Sequence, residues 1–245
     1  MVITSLENDR VKDLVRLQQK KYRDETGTYL VEGEHLVEEA YKHGSILQVI
    51  ALENVPVSYD CDLLFVTEDI LKKISSLDNP PSIMALCKKE ETSEIMGDQI
   101  LLLDGIQDPG NLGTMIRSSL AFGVSTIILS PNCVDLYNPK VVRGTQGMMF
   151  HIPIVTMDVK DAITYMKNHS IPVYGTSVVN GVEASQLTRE EKEKYCLIMG
   201  NEGSGLSDEV FALCDQNLYI PMNDQVESLN VGVACSILLY ELGRR

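Results

Sequence analysis

Residues 99–130 read QILLLDGIQDPGNLGTMIRSSLAFGVSTIILS, and they alternate between apolar runs and a segment with helical spacing. Residues 99–104 form an apolar run that predicts a strand, and residues 112–122 carry apolar side chains at helical spacing. Gly123 closes that predicted helix, and residues 124–130 predict a second strand. A strand, a helix and a further strand in this order are typical of two parallel strands joined by a crossover helix.

The same alternation continues to the end of the sequence. Further strands are predicted at 171–177, 196–199 and 218–221, and helices at 158–169, 207–214 and 228–242. Thr188 and Glu191 have the spacing of a capping box, which predicts a short helix. The second half is therefore expected to be a parallel sheet covered by helices on both faces.

The first part of the chain predicts a separate, smaller α/β domain. It combines short apolar strands with a basic helix and a helix at 34–43. A polar, charged stretch (KKEETSEIMGD, 88–98) follows it and has the composition of a linker. We therefore expect a domain at 1–90, a linker at 91–98 and a second domain at 99–245.

The composition excludes several classes of protein. The chain has 245 residues, of which 44% are hydrophobic and 23% charged, values that exclude disordered and collagen-like chains. The nearly apolar stretch at 231–240 is too short to cross a bilayer, and the first residues lack a secretory pattern. The cysteines are widely spaced, without zinc-ligand spacing, so we expect a cytoplasmic protein with reduced thiols and no metal site.

The charge is unevenly distributed along the chain. The net charge of −14 argues against indiscriminate binding to nucleic acid. Between residues 10 and 23, however, a single acid accompanies a basic strip: Arg10, Lys12, Arg16, Lys20, Lys21 and Arg23. Such a strip binds phosphates at short range, because salt screens the distant acidic charge. A solvated helix face is the alternative interpretation.

Three loops that follow predicted strands carry the candidate functional residues. In the first, at 104–113, Asn111 is a candidate N-cap, and Arg117 lies off the apolar stripe of the following helix. The second, GNEGSGL at 200–206, lacks the Lys of a phosphate-binding P-loop and contains Glu202. This composition favours a ligand that is neutral or positive where it meets the loop. The alternative for Arg117 is an ordinary surface arginine, and the alternative for the second loop is a tight turn between strand and helix.

The third loop, at 220–230, leads into a helix that begins with small residues. Ser228 is a candidate N-cap, and close backbone packing is expected there; a buried core helix is the alternative. The same helix is apolar on more than one face, which predicts that a second copy covers part of it. The sequence shows no Ser-His-Asp or Cys-His arrangement. Group transfer from an activated, cationic donor fits this set of residues.

Taken in order, the three loops resemble the signature motifs of the SpoU (TrmH-like) branch of the SPOUT RNA 2'-O-ribose methyltransferases. The matching stretches are DGIQDPGNLGTMIRSSLAFG, IMGNEGSGLS and IPMNDQVESLNVGVACSILLYE. Residues 1–87 are similar to the family's accessory substrate-binding domain, which resembles ribosomal proteins that bind kinked RNA. YLVEGEHLVEEA at 29–40 carries that second resemblance.

The resemblance implies a parallel sheet with a deep C-terminal trefoil knot, a homodimer, and S-adenosylmethionine as cofactor for methylation of structured RNA. It assigns cofactor contacts to Thr176, Gly200, Ile220, Met222 and Leu229. It assigns the polar catalytic positions to Asn111, Arg117, Glu202, Ser228 and Asn230. Lys140 and Arg143 lie where many relatives have an Arg-Ala-Ser-x-Gly sequence, and we expect them to touch phosphates near the target.

Several alternatives remain open from the sequence alone. The accessory domain favours ribosomal over transfer RNA as substrate. A non-catalytic RNA-binding or ribosome-assembly protein could retain the fold, although the polar motif positions are intact. A metabolic enzyme with a nucleotide cofactor would need a phosphate-binding fingerprint, which we do not find. Methylation of a base is disfavoured by Asn111 and Arg117, by resemblance.

Overall fold

The computed structural model describes residues 2–90, 92–179 and 181–244, and within them the chain forms two compact units. The first unit comprises Met1–Glu90 and Asp135–Phe150, and the second comprises Glu91–Val134 and His151–Arg245. The predicted second domain, 99–245, includes residues 135–150, but in the structure this segment packs with the first unit. The predicted linker begins at Glu91, which lies outside the described residues.

The elements are numbered in chain order. The strands are β1 Val2–Ile3, β2 Thr28–Glu32, β3 Ile46–Leu52, β4 Asp62–Val66, β5 Ile83–Lys88, β6 Gln99–Leu103, β7 Thr126–Leu129, β8 Ile154–Thr156, β9 Val173–Thr176, β10 Val182–Glu183, β11 Tyr195–Met199 and β12 Gln216–Tyr219. The helices are α1 Asp9–Arg16, α2 Lys20–Thr26, α3 Glu34–Lys42, α4 Glu68–Ile74, α5 Pro109–Ala121, α6 Pro139–Thr145, α7 Val159–Asn168, α8 Asp208–Leu213 and α9 Val231–Gly243. Short 3-10 turns lie at Met148–Phe150, Ala184–Gln186 and Glu190–Lys192.

The first unit is built on a mixed five-stranded sheet in the order β1-β4-β3-β5-β2. β3 runs parallel to β4 and antiparallel to β5. Apolar side chains of α1 and α4 pack with those of the sheet, and Val11, Ile50 and Ile70 are almost completely buried. The predicted small α/β domain is therefore present, with α6 added to it from later in the chain.

The second unit contains a seven-stranded sheet in the order β10-β12-β9-β11-β6-β7-β8, and every pairing is parallel. The central strands β6 and β11 are buried along almost their whole length. Strands covered on both faces are near-continuous apolar runs, as in ILLL of β6. The predicted parallel α/β fold is confirmed.

The order of the strands reverses beside β6. The chain moves outward from β6 to β7 and β8, and then returns to build β9 and β11 on the other side of β6. In open α/β sheets, ligands bind beyond the carboxyl ends of the strands at such a switch point. The loops that follow β6 and β11 are therefore the expected positions for ligand binding.

Candidate active site

The three loops singled out by the sequence all leave the carboxyl edge of the parallel sheet. The first follows β6 and the second follows β11, and these strands are adjacent, with Leu103 paired to Met199. The third follows β12 and ends at α9. Because all the pairings are parallel, the loops emerge on the same side of the sheet.

The second and third loops enclose a cavity of about 430 Å³. Its wall also includes the end of β9 and the first turns of α9. The predicted cofactor contacts all line it: Thr176, Gly200, Ile220, Met222 and Leu229. This volume lies within the range of small-molecule sites, and most of the wall is apolar. The structure thus brings together residues that are far apart in the sequence.

Gly200 permits the loop beside this cavity to close on itself. A Cβ atom at this position would lie 2.4 Å from the carbonyl carbon of Gly205 and 2.6 Å from the nitrogen of Leu206. The closure is held by backbone hydrogen bonds in both directions between Asn201 and Gly205, at 3.2 and 2.9 Å. A side chain at position 200 would therefore open the loop.

The charge of the cavity wall is negative. Among the described residues, the wall contains the carboxylates Glu202 and Glu227 and no Lys, Arg or His. A triphosphate placed there would meet two like charges without a counter-ion. A ligand with a positive charge is favoured instead.

The Glu202 carboxylate connects the second loop to the first through hydrogen bonds. It accepts hydrogen bonds from the backbone nitrogens of Gln107 (3.1 Å) and Asp108 (3.0 Å) and from the side chain of Asn111 (3.1 Å). Burial raises the pKa of Glu202, but these hydrogen bonds outweigh it, and the pKa lies below its ordinary value. Glu202 is therefore held as an anion and positions the first loop.

A line of side-chain hydrogen bonds extends from Glu202 to the start of α9. Asn230 Nδ2 donates to Asn111 Oδ1 at 2.9 Å, and Asn111 Nδ2 donates to Glu202 Oε1 at 3.1 Å. Asn230 Oδ1 also accepts from the nitrogens of Gly232 and Val233. We call Glu202, Asn111 and Asn230 the amide relay.

Two predicted helix caps are wrong. The last helix is capped by Asn230 and not by Ser228, and α5 is capped by Asp108, whose Oδ1 accepts from the nitrogen of Asn111 at 2.9 Å. Pro109 occupies the first turn of α5, where its missing N–H costs nothing. Ser228 lies instead in the cavity wall.

Arg117 is exposed on α5, two turns beyond the start of the helix, and does not line the cavity. In the part of the chain that the structure describes, its guanidinium has no hydrogen bond or ion pair. The structure therefore groups four of the predicted catalytic residues in and beside the cavity wall and leaves Arg117 apart, as a free cation.

Sequence reasoning missed several residues of the cavity wall. They include Ser177, Met199, Phe211, Tyr219, Ala234 and Leu238. Met199 directly precedes Gly200 at the end of a strand, so its position was a usable signal. Phe211 and Leu238 had no such signal, because apolar positions of a helix look alike whether they face a core or a cavity.

The basic strip is only partly exposed. Arg10, Lys12, Arg16, Lys20 and Lys21 are exposed on α1 and α2. Arg23 is 2% exposed and cannot meet a phosphate.

Arg23 forms a buried ion pair inside the first unit. Its Nη2 lies 2.5 Å from Asp135 Oδ2, and its Nη1 donates to the carbonyl of Leu17 at 2.8 Å. The prediction that Arg23 binds substrate is therefore corrected: its charge is used to hold the segment that begins at 135.

Arg143 is also engaged within the first unit. Its Nη1 donates to Ser76 Oγ and lies 3.7 Å from the nearly buried carboxylate of Glu32. Lys140, on the same helix, is exposed. Of the two predicted phosphate contacts, Lys140 thus has the more accessible side chain.

The described residues include neither a membrane-spanning helix nor a metal-binding cluster. No helix is both long and apolar enough to cross a membrane. No cluster of His, Cys, Asp and Glu has the arrangement of a metal site in the described part of the chain.

Comparison with family models gives two matches. Residues 98–240 match the model of the SpoU rRNA Methylase family. Residues 8–85 match an MRM3-like substrate binding domain. Together the two models cover most of both predicted domains.

Individual relatives match over nearly the whole chain. The chain is 38% identical, over 98% of each sequence, to the 23S rRNA (guanosine(2553)-2'-O)-methyltransferase RlmP of Bacillus subtilis. It is similar to the AdoMet-bound rRNA methyltransferase structure from Sinorhizobium meliloti, with 32% identity, a TM-score of 0.89 and coverage of 100% of this chain and 97% of that one. The SpoU methyltransferase AviRb of Streptomyces viridochromogenes, in complex with AdoMet, matches with 25% identity, a TM-score of 0.87 and coverage of 97% and 98%.

Proposed function

The chain belongs to the SpoU rRNA methylase family, and we infer on that premise that it transfers a methyl group from S-adenosylmethionine to a ribose 2'-hydroxyl of ribosomal RNA. One observation carries the inference to this chain. The cavity between the loops after β11 and β12 contains every predicted cofactor contact and, among the described residues, no basic side chain. RNA methylation, and not ribosome assembly alone, is supported by the intact amide relay.

The residues present fit S-adenosylmethionine. Its adenine and ribose suit a cavity with apolar side chains and strand-end backbone, and it carries no phosphate to be repelled. When bound, it supplies a methyl group attached to a positively charged sulfur. A nucleophile can accept this methyl group, with the sulfur as a neutral leaving group, without a metal. Glu227 is the carboxylate of the wall that forms no hydrogen bond or ion pair in the described residues, and it would offset that positive charge.

The amide relay would hold the reacting groups in register. Glu202 and Asn111 fix the first loop, and Asn230 fixes the start of α9 against it. In well-oriented reactions, alignment of the acceptor with the donor lowers the activation barrier by on the order of 7 kcal/mol. The relay is thus proposed to position, and not to exchange protons.

Arg117 would act on the acceptor oxygen. A guanidinium remains protonated at neutral pH, so it stabilises negative charge better than it removes a proton. Its exposure and its lack of a partner among the described residues leave it available for an RNA ribose and phosphate.

The first unit is proposed to bind the RNA. The exposed part of the basic strip offers cations along α1 and α2, and Arg16 and Lys21 lie 5.6 and 5.8 Å from the ring of Tyr22. Exposed ion pairs such as Lys12–Glu7 are weak and would yield to phosphates. The similarity of residues 8–85 to a substrate binding domain supports this assignment.

We further propose a homodimer, a knotted C-terminus and a cytoplasmic location. The exposed stripe of Val233, Ile237 and Tyr240 on α9 supports a second copy as partner. The enclosure of one cavity by the loops after β11 and β12 supports the knot. Ribosomal RNA and reduced cysteines agree with the cytoplasm.

The proposed function is tested with radiolabelled S-adenosylmethionine, purified protein, and unmethylated ribosomal or transfer RNA. Label in ribosomal RNA that survives in alkali-resistant dinucleotides is the expected result, because a 2'-O-methyl group blocks alkaline cleavage. Label released in mononucleotides would indicate base methylation, and label in transfer RNA alone would change the substrate. RNA binding without label would indicate an assembly protein.

A further inference from the structure

A second cavity of about 380 Å³ lies on the other side of the loop that follows β11. Asn201, Ser204 and Gly205 line both this cavity and the cofactor cavity, so the loop forms a common wall. The remaining lining comes from the loops after β6 and β7 and from the start of α8: Asp104, Gly105, Gln107, Asn132 and Ser207. None of these residues has been given a role above in binding the cofactor or in catalysis.

The groups facing this cavity are polar, and several have unused hydrogen-bonding capacity. Asp104 directly follows β6 and is partly buried, with the hydroxyl of Ser130 close to its carboxylate. Asn132 Oδ1 accepts from Ser130 Oγ, but in the described chain Asn132 Nδ2 meets no acceptor. Gln107 Nε2, by contrast, is occupied by the carbonyls of Gly105 and Asn132. A carboxylate and an amide donor therefore remain for a ligand.

The pattern of these groups selects among the components of RNA. Among the described residues, the lining has no Lys or Arg and contains a carboxylate, which disfavours a phosphate. Among the bases, only guanine offers two adjacent donors, N1–H and the N2 amino group, beside an acceptor, O6. Two carboxylate oxygens match the donors, and an amide N–H matches the acceptor. Single-stranded RNA bases are commonly read in this way, on their Watson–Crick edge.

We propose that this second cavity binds the guanine base of the nucleotide that is methylated. Asp104 accepts from N1–H and from the N2 amino group, and Asn132 Nδ2 donates to O6. This arrangement requires the ribose of the bound nucleotide to pass the edge of the common wall, so that its 2'-oxygen reaches the methyl donor. Burial raises the pKa of Asp104, because water solvates the buried carboxylate poorly. Hydrogen bonds from a base would therefore stabilise the charged form of this carboxylate. The proposal rests on the proposed function, since it requires an RNA substrate.

The experiment uses the full-length protein and an RNA fragment that contains the mapped methylation site, with guanosine or inosine at that position. Inosine lacks only the N2 amino group. For the unmodified protein we expect kcat/KM to fall by about tenfold or more on inosine, the effect of losing a hydrogen bond to a charged group. For Asp104→Asn we expect low activity on guanosine and nearly equal activity on both RNAs.

Two controls separate base recognition from damage to the fold. Calorimetric affinity for S-adenosylmethionine should be unchanged in Asp104→Asn, and Asp161→Asn, an exposed carboxylate on α7, should keep the preference for guanosine. Because Asp104 is partly buried, Asn132→Asp provides a second, exposed variant, which should repel O6 and lower activity on guanosine.

Three results would overturn the proposal. They are a methylated nucleotide other than guanosine, equal activity of the unmodified protein on guanosine and inosine, and an undiminished preference for guanosine over inosine in Asp104→Asn. Each of them leaves ribose methylation itself intact. Absence of methyl transfer by the unmodified protein would instead contradict the proposed function.

Discussion

Asn230 Nδ2 donates a hydrogen bond to Asn111 Oδ1 at 2.9 Å, although the two residues lie 119 positions apart. This bond joins the beginning of α9 to the beginning of α5, and through Asn111 it reaches Glu202. Both helices flank the loops that carry the proposed chemistry. The bond therefore couples the cofactor cavity to the helix that presents Arg117.

The variant Asn230→Asp tests this coupling. Aspartate caps a helix as well as asparagine does, so the melting temperature should change little. It cannot donate to Asn111, however, and so breaks the hydrogen bond that links α9 through Asn111 to Glu202. We expect kcat to fall by about a hundredfold, the effect of a small misplacement of reacting groups. Steady-state methylation with saturating cofactor and RNA gives kcat, and an unchanged kcat would show that the relay is only structural.

Arg117→Ala should abolish methyl transfer. The side chain is exposed and, within the described residues, has no hydrogen bond or ion pair, so its loss should leave the fold and the affinity for S-adenosylmethionine unchanged. Arg117→Lys keeps the charge without the planar, two-pronged donor and should retain a small part of the activity. Lost cofactor binding, with normal activity per bound cofactor, would contradict the proposed role.

Glu227→Gln should weaken binding of S-adenosylmethionine more than binding of the demethylated product, S-adenosylhomocysteine. The product has a neutral sulfur, so a carboxylate that offsets the positive charge of the sulfur has less to act on. Titration calorimetry with both compounds measures the difference, and Glu53→Gln on the exposed surface of the first unit is the matched control. An equal loss of affinity for both compounds would mean that Glu227 contacts a part of the cofactor other than its sulfur.

The amide relay also makes a prediction about pH. Hydrogen bonds hold the pKa of Glu202 below its ordinary value, so its contribution to stability is present above the unfolded-state pKa, near 4.5, and is lost as pH falls through the folded-state pKa. Glu202→Gln should therefore lower the melting temperature at pH 7, with a difference that shrinks on acidification below about 4.5. A difference independent of pH would mean that the charge is not involved.

Much of the fold followed from the sequence, because local signals decide it. The capping box predicted from Thr188 and Glu191 is present, with Thr188 N donating to Glu191 Oε2 at 2.7 Å. The strand predicted at 196–199 is found at Tyr195–Met199, since its apolar run ends at Gly200. The parallel strands were recognisable because burial on both faces leaves continuous apolar runs.

The rest depended on contacts between distant residues, which periodicity does not encode. The short strand β8 and the helix α6 were not predicted, since each is too short for a periodic pattern. The separation of Arg117 from the cavity and the line of amides through Asn111 likewise required coordinates. Asn111 and Asn230 were singled out as polar motif positions, but their bond to each other was not foreseen.

Arg23 and Lys20 belong to one basic strip in the sequence but should respond to substitution in opposite ways. Arg23→Ala would leave the largely buried carboxylate of Asp135 without its cation, a change that costs about 3–5 kcal/mol of unfolding free energy. Lys20→Ala, at an exposed position, should change stability by less than about 0.5 kcal/mol. Denaturant unfolding of both variants gives the comparison.

RNA binding should show the reverse order among variants that remain folded. Lys20→Ala should weaken binding and reduce the dependence of log affinity on log salt by about one unit for a lost phosphate contact. The double variant Arg23→Ala, Asp135→Asn removes both charges and should regain part of the lost stability while binding RNA almost normally. If that double variant binds RNA as weakly as Lys20→Ala does, Arg23 contacts the substrate. The Arg23 side chain would then have to become exposed when RNA binds.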